Sequence, residues 1–278
     1  MKTTEALPPL SSSNKRLETT MDKGTIIGMT SGLGLVALTM VMGGGIAPFI
    51  DIPSLIMVLG GTIAATLVNF QFQDVMGLMK VTRKLLKDAP MTPQKYIEQI
   101  VAISKKARTN GLLAIEEDLE TVDEDFMKVT LQHVVNGTEA EDLNNIMRAE
   151  LAIMAERHKM GQKIYMAMAT YSPAFGMVGT LIGLILMLQN LSDPSSVGPG
   201  MSMAMVTTFY GSLFANLFFM PMAGKLKMRS AQEIQFKEML LMGILSVQAE
   251  ESPRVIQNKL QSFLPPLERG VESQSAEE

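Results

Sequence analysis

Apolar residues fall along this chain in four long blocks, and the segments between them are densely charged. Residues 24–50, 52–73, 164–192 and 194–224 contain no Asp, Glu, Lys, Arg or His. Each block exceeds the ~20 residues that a helix needs to cross the hydrocarbon core of a bilayer. The first is much longer than the roughly 7–15 apolar residues of a cleaved leader, and a second block follows at once, so it reads as a retained helix. The pattern predicts an all-α polytopic membrane protein with four transmembrane helices.

The charged segments predict helices of their own. In "MTPQKYIEQIVAISKKARTNG", Thr92 stands at an N-cap position with Pro93 at the first helical position, and Gly111 closes the helix. Thr138 and Glu141 have the spacing of a capping box. From there the helical pattern runs unbroken into the third apolar block, and a helix over residues 139–189 would be about 75 Å long. Residues beyond 225 again read as helix up to "FLPPLERG". The division that follows is a disordered extension at 1–20, two transmembrane helices within 21–73, a helical domain at 74–163, two further transmembrane helices within 164–224, and a C-terminal helix and tail at 225–278.

Charge sets the orientation. The turns "GGGIAPFID" and "NLSDPSSVGPG" hold no Lys or Arg. Lys15, Arg16, Lys23, Lys80, Arg83, Lys84, Lys87, Arg157, Lys159, Lys163, Lys225, Lys227 and Arg229 all flank the opposite ends of the blocks. The positive-inside bias therefore puts both termini and residues 74–163 in the cytoplasm.

Composition narrows the function. The chain of 278 residues has no Cys and no Trp, 5% aromatic residues and a net charge of −4. That leaves no thiol chemistry and argues against a nucleic-acid partner. His133 and His158 stand alone in charged helical stretches and read as surface or core residues rather than ligands. No nucleophile arrangement, metal cluster or phosphate loop supports an enzyme.

The third block spends a proline, three glycines and a threonine within "SPAFGMVGTLIGLILML". At about 100° per residue, Gly176, Thr180, Gly183 and Met187 fall within an ~80° arc that starts at Pro173. In the fourth block Ala204, Thr208, Gly211, Ser212 and Ala215 share a face, with Thr207 at its edge. Such stripes serve helix packing. Hydroxyl oxygens and proline-freed carbonyls are also ligands that a dehydrated hard cation accepts. A cation pathway in a membrane calls for an ionisable group, which these blocks lack. Either the chain conducts nothing, or a partner helix brings the carboxylate.

Several motifs, in order, resemble the A subunit of the bacterial flagellar stator, the MotA/PomA family within the MotA/TolQ/ExbB superfamily. They are "FIDIPSLIMVLGGT", "PAFGMVGTLIGL", "MAMVTTFYGSLFANLFFMPMAGKL" and "SPRVIQNKL". The similarity covers nearly all of residues 21–268. It implies a homopentamer in the bacterial inner membrane around a dimer of a single-span MotB/PomB-type B subunit. That partner carries the ion-binding aspartate, and ion flow turns the pentamer against the rotor switch protein FliG. Membrane lipid is the remaining partner, and no cofactor is implied.

By the same resemblance Thr180, Thr207 and Thr208 line the ion path, and the paired threonines of "VTTFYG" are similar to the sodium-driven type. Asp51 matches an acidic residue at the outer mouth. Pro173 and Pro221 match prolines that pass movement between the spans and the cytoplasmic domain. "ARTNGLLAIEED" matches the rotor-facing patch, with Arg108, Glu116 and Glu117 as its charges. Two features depart from the family pattern: Thr170 replaces an acidic residue of many members, and Thr109 and Asn110 follow Arg108 where sodium-type relatives often carry a second basic residue. The alternatives are a TolQ/ExbB-like energiser of outer-membrane processes, a proton-driven stator, and a passive scaffold in which the small stripes only pack helices.

Overall fold

A computed structural model describes residues 20–21, 23–85, 87–88, 92–189, 192 and 194–265. Apart from Thr20, the extension predicted at 1–20 lies outside the described residues, as does the tail "VESQSAEE". The fold is all-α. The one departure among the described residues is a two-residue antiparallel pairing of β1 (Thr20–Met21) with β2 (Lys87–Asp88).

The first helix, α1 (Lys23–Met42), leads into a turn at residues 43–51. Gly44 and Gly45 adopt φ of +119° and +117°, which a residue with Cβ rarely takes. The second span is a rod of α2 (Ile52–Leu55), a wide π turn (Ile56–Gly60) and α3 (Gly61–Asn69), followed by α4 (Phe72–Leu85). The helical domain contains α5 (Pro93–Asn110), a run of 3-10 turns (Leu112–Thr121) and α6 (Asp125–Val135). The third span belongs to α7 (Ala140–Gln189), one helix of 50 residues. The fourth runs through α8 (Pro194–Leu213), a π segment (Phe214–Phe219) and α9 (Met220–Gln248), and α10 (Pro253–Gln261) ends the described chain. Among the described residues four helices are long and apolar enough to cross a membrane.

Two details differ from the sequence expectation. The fourth span and the helix after it are continuous, because the π segment absorbs Pro221 without ending the rod. The predicted capping box is not used. α7 opens at Ala140, and the hydroxyl of Thr138 lies 3.3 Å from His133 Nδ1. The Gln248 amide donates to Thr138 O at 2.7 Å, so this residue ties α6 and α9 to the start of α7. At α5 the expected boundaries hold, with Pro93 first and Gly111 closing at φ +86°, yet Thr92 caps with its carbonyl alone.

A large core holds the charged half together. Ile100 and Ile103 of α5 meet Met127 and Leu131 of α6, Leu143 and Met147 of α7, and Leu240 and Ile244 of α9. Ile256 and Leu260, four residues apart on α10, are completely buried in it. Burying each such side chain contributes about 1.5–3 kcal/mol. Lys237, 16% exposed, sits at the edge of this core between Glu233 at 3.2 Å and Glu124 at 4.0 Å. Glu124 in turn caps α6 by accepting from Met127 N at 2.8 Å. A smaller core of Leu78, Ile164, Tyr165, Met222, Ala223 and Leu226 joins α4, α7 and α9 where the charged half meets the apolar spans. His158 on α7 and Ser230 on α9 bond at 3.0 Å, a structural role for that histidine.

Candidate functional site

The third and fourth spans pack backbone against backbone, and glycine makes this possible. A Cβ on Gly183 would lie 2.8 Å from both Ala204 N and Gly200 O, and one on Gly176 would lie 3.0 Å from Thr207 O. On the facing helix, Gly200 is equally tight against Met187 and Gly183. The glycine stripe of α7 is therefore a packing surface, as small residues in membrane helices commonly are. The same contact splits the small-residue face of α8–π. Ala204, Gly211 and Ala215 are buried against α7, whereas Thr208 and Ser212 remain exposed beside it.

The three threonines do not share one environment. Thr207 is fully buried, its methyl against Gly179, where a Cβ would lie 2.5 Å from Thr207 Cγ2. Its hydroxyl donates to the carbonyls of Met203 at 2.9 Å and Ala204 at 3.0 Å. Thr180 and Thr208 instead line a groove of about 360 Å3 together with Ala204, Met205, Phe209 and Ser212. Thr180 donates to Met177 O at 2.6 Å and Thr208 to Ala204 O at 3.4 Å, each one turn back along its own helix. Those bonds use the hydroxyl hydrogens and leave oxygen lone pairs for the groove.

The groove continues along the rod in a direction that the sequence reading missed. Thr208, Ser212 and Asn216 are all exposed at four-residue spacing, within a span that carries no charge. Asn216 Nδ2 donates to Ser212 O at 2.9 Å. The four-residue spacing of polar groups within an uncharged block was the signal that could have found Asn216. Thr208 and Asn216 bond only to carbonyls of their own helix, so a stripe of this kind keeps spare polar capacity and suits a surface that another helix covers.

The turn at residues 43–51 is fastened to α8 next to this groove. Tyr210 donates its phenolic hydrogen to Phe49 O at 2.5 Å, and Asp51 N–H donates to Tyr210 Oη at 3.4 Å. Phe49 and Phe209 meet edge to face at 5.9 Å between ring centres. The Asp51 carboxylate is the N-cap of α2, accepting from Ser54 N at 2.9 Å and from the Ser54 hydroxyl. Helix capping accounts for this aspartate without an ion.

Pro173 lies within α7, and Pro221 follows the π segment of the fourth span. Each proline lacks the N–H that the carbonyl four residues earlier would accept. At Pro221 the helix adapts by a wider turn, and Met220 N donates to Ala215 O, five residues back. Thr170 is exposed and donates to Met166 O at 3.0 Å.

The charged patch lies far along the rods, in the helical domain. Arg108 is in the last turn of α5 and is exposed, as are Glu116 and Glu117 in the 3-10 run. Ile115 and Leu119 anchor that run in the core, which turns the intervening glutamates outward. Glu117 is not free. Lys106 reaches it at 2.9 Å and Asp118 at 3.2 Å, holding the Glu117 carboxyl below its ordinary pKa and the Lys106 ammonium above its own. Lys106 and the 72% exposed Leu113 belong to this patch and carried no signal in the sequence beyond their proximity.

The model of the MotA/TolQ/ExbB proton channel family matches residues 118–239. Over 249 residues the chain is 35% identical to Motility protein A of Treponema phagedenis, covering 90% of this chain and 96% of that one. It is 34% identical over 252 residues to the Chemotaxis protein PomA of Vibrio alginolyticus, covering 91% and 99%. The fold superposes on a solved structure of the flagellar MotAB stator complex from Bacillus subtilis with a TM-score of 0.83 at 31% identity, covering 89% of this chain and 98% of that one.

Proposed function

The chain belongs to the MotA/TolQ/ExbB proton channel family, on its motility protein A branch, and from that premise we propose that it is the A subunit of a sodium-driven flagellar stator. One observation carries the reading. The four spans contain no Asp, Glu, Lys, Arg or His, yet α7 and α8 present a groove lined by the hydroxyls of Thr180, Thr208 and Ser212. An ion path built this way is incomplete, and a B-subunit helix that brings a carboxylate completes it.

In this reading five copies surround a dimer of the single-span MotB/PomB-type subunit in the inner membrane. Residues 21–73 and 164–224 form the membrane part, with both termini and residues 74–163 and 225–278 on the cytoplasmic side. A sodium ion that sheds water beside the partner carboxylate takes replacement oxygens from Thr180 and Thr208, since bare transfer past an apolar wall costs many kcal/mol. Thr207 supports the path from behind by fixing the α7–α8 contact. Asp51 raises cation concentration at the outer mouth while it caps α2. Movement passes along α7 and the α8–α9 rod, with Pro173 and Pro221 as joints, to Arg108, Glu116 and Glu117, which engage the acidic and basic groups of FliG.

Rotation speed against external sodium tests the ion assignment, at fixed pH and membrane potential, in cells whose only stator is this chain with its B subunit. Speed that rises and saturates with sodium supports the sodium reading. Speed that ignores sodium and follows pH makes the protein a proton-driven stator and removes the threonine argument.

A further inference from the structure

The face of α8 that points away from the threonine groove is held by a clamp. Tyr210 donates its hydroxyl hydrogen to Phe49 O at 2.5 Å and accepts from Asp51 N–H at 3.4 Å, so one phenol bridges backbone groups 161 and 159 residues away in sequence. Two turns earlier on the same face of α8, a second hold is made by Ser54 of α2. Ser54 is completely buried, and its hydroxyl, which donates to the Asp51 carboxylate, also lies 3.5 Å from Met203 O. Met203 O in turn accepts the Thr207 hydroxyl at 2.9 Å. The turn and α2 therefore grip α8 at residues 203 and 210, on either side of Thr207 and Thr208.

This grip and the contact with α7 fix different things. At about 100° per residue, Met203 and Tyr210 fall about 20° apart, and Gly200, Ala204, Thr207 and Gly211 lie about a quarter turn further round, against α7. Thr208 and Ser212 lie about 160–200° from the clamp. The α7 contact is largely backbone against glycine, which sets the distance between the helices but offers few side chains that interlock against rotation. The clamp acts from the opposite side of α8, and Phe209 carries its effect forward. That residue lines the groove, and its ring meets Phe49 edge to face at 5.9 Å between centres. Rotation of α8 about its axis would break the phenol bonds, separate the two rings and swing Thr208 away from Thr180. We propose that Tyr210 is a positioning residue of the groove: through its bonds to the turn at residues 43–51 it fixes the rotation of α8, and with it the place of the Thr208 oxygen relative to Thr180. This role rests on the groove being the ion path, but not on which ion is carried.

The chain has no cysteine, so Thr207→Cys supplies a single thiol, buried where α8 meets α7. The full-length chain, in membranes with its B subunit, would be labelled at that thiol with a maleimide. Motor speed of variants that keep Thr207 would be followed against the external concentration of the driving ion. Tyr210→Phe keeps the ring and removes both bonds. It should speed labelling by about threefold, the effect of one interhelical hydrogen bond in a membrane protein on local opening. It should raise the half-saturating ion concentration by a similar factor, while maximal speed and protein level stay as before. Phe49→Leu, which loosens the clamp from the turn and leaves α8 intact, should move both readouts in the same direction. Unchanged labelling in both variants would overturn the clamp, and so would a fall in maximal speed with no change in half-saturation. Half-saturation that responds to Thr208→Val but not to Tyr210→Phe overturns the clamp alone. Half-saturation that responds to neither overturns the groove as the path, and the clamp with it. If both readouts move but speed follows pH rather than sodium, the clamp stands and only the sodium assignment falls.

Discussion

Ser172 on α7 donates its hydroxyl hydrogen to the carbonyl oxygen of Gly211 on α8 at 3.1 Å. The contact is so close that Gly211 has no room for a side chain, since its Cβ would lie 2.8 Å from Ser172 O and 3.1 Å from Pro173 Cα. Both obstacles are backbone and cannot swing away. Gly211→Ala should thus force the helices apart and cost about 1–3 kcal/mol. Ser172→Ala removes one interhelical hydrogen bond, worth about 0.6 kcal/mol in membrane proteins. Thermal unfolding in detergent should rank the two in that order, and a harmless Gly211→Ala would contradict the packing described here.

Thr207 and Thr208 are neighbours in sequence with opposite surroundings, and this separates two effects that a double substitution would mix. Thr208→Val keeps the side-chain shape and removes the groove oxygen, so it should raise the sodium needed for half-maximal speed by about tenfold, the effect of roughly 1.4 kcal/mol of lost coordination. Thr208→Ser should preserve it. Thr207→Val removes a hydroxyl that serves only its own helix, so protein level should change more than sodium dependence. If both valine variants shift the sodium response alike, the groove is not the path.

Much of this was legible in the sequence because membrane helices announce themselves by length and by the absence of charge. The four spans, the long α7 and the boundaries at Pro93 and Gly111 follow from those rules. The stripes were harder. A helical wheel places Ala204, Thr208 and Ser212 on one side, but the face that meets α7 cuts through that side, so Ala204 is buried and Thr208 is open. Asn216 went unnoticed because one amide in an uncharged span barely changes its hydropathy. The Lys106–Glu117 pair spans eleven residues and a turn at Gly111, and no periodic rule brings such positions together.

Lys106 sets how much of Glu117 the patch can offer to a partner. The carboxyl is depressed by its bond to Lys106, so the pair is intact above the ordinary Glu value of about 4.3 and fails as pH falls through the lower folded value. The Lys106 ammonium is raised, so on the alkaline side the pair is intact below about 10.4 and fails only as pH rises through the higher folded value. Between about pH 6 and pH 9 neither group titrates. Salt, rather than pH, should then loosen the contact, because both partners face water. In Lys106→Ala the Glu117 carboxyl, followed by carbon NMR, should titrate near the ordinary Glu value. An unchanged titration would mean that another cation holds it.

Pro221 distinguishes a joint from a mere irregularity. Its ring leaves Leu217 O without the usual donor, and the helix answers with the wide turn in which Met220 N reaches Ala215 O. Pro221→Ala restores the donor, and alanine favours helix over proline by about 3 kcal/mol in a helix interior. Packing opposes a full return to regular geometry. Removing the extra residue of the π segment would turn α9 by about 100° and unseat Met222, Ala223 and Leu226 from the smaller core. The variant should therefore keep its fold and its melting temperature, or raise the latter, while the region around Leu217 stiffens. Motor speed should fall although the protein is as stable as before. If stability is kept and speed is unchanged, the wide turn only accommodates proline, and movement passes to the helical domain along α7 instead.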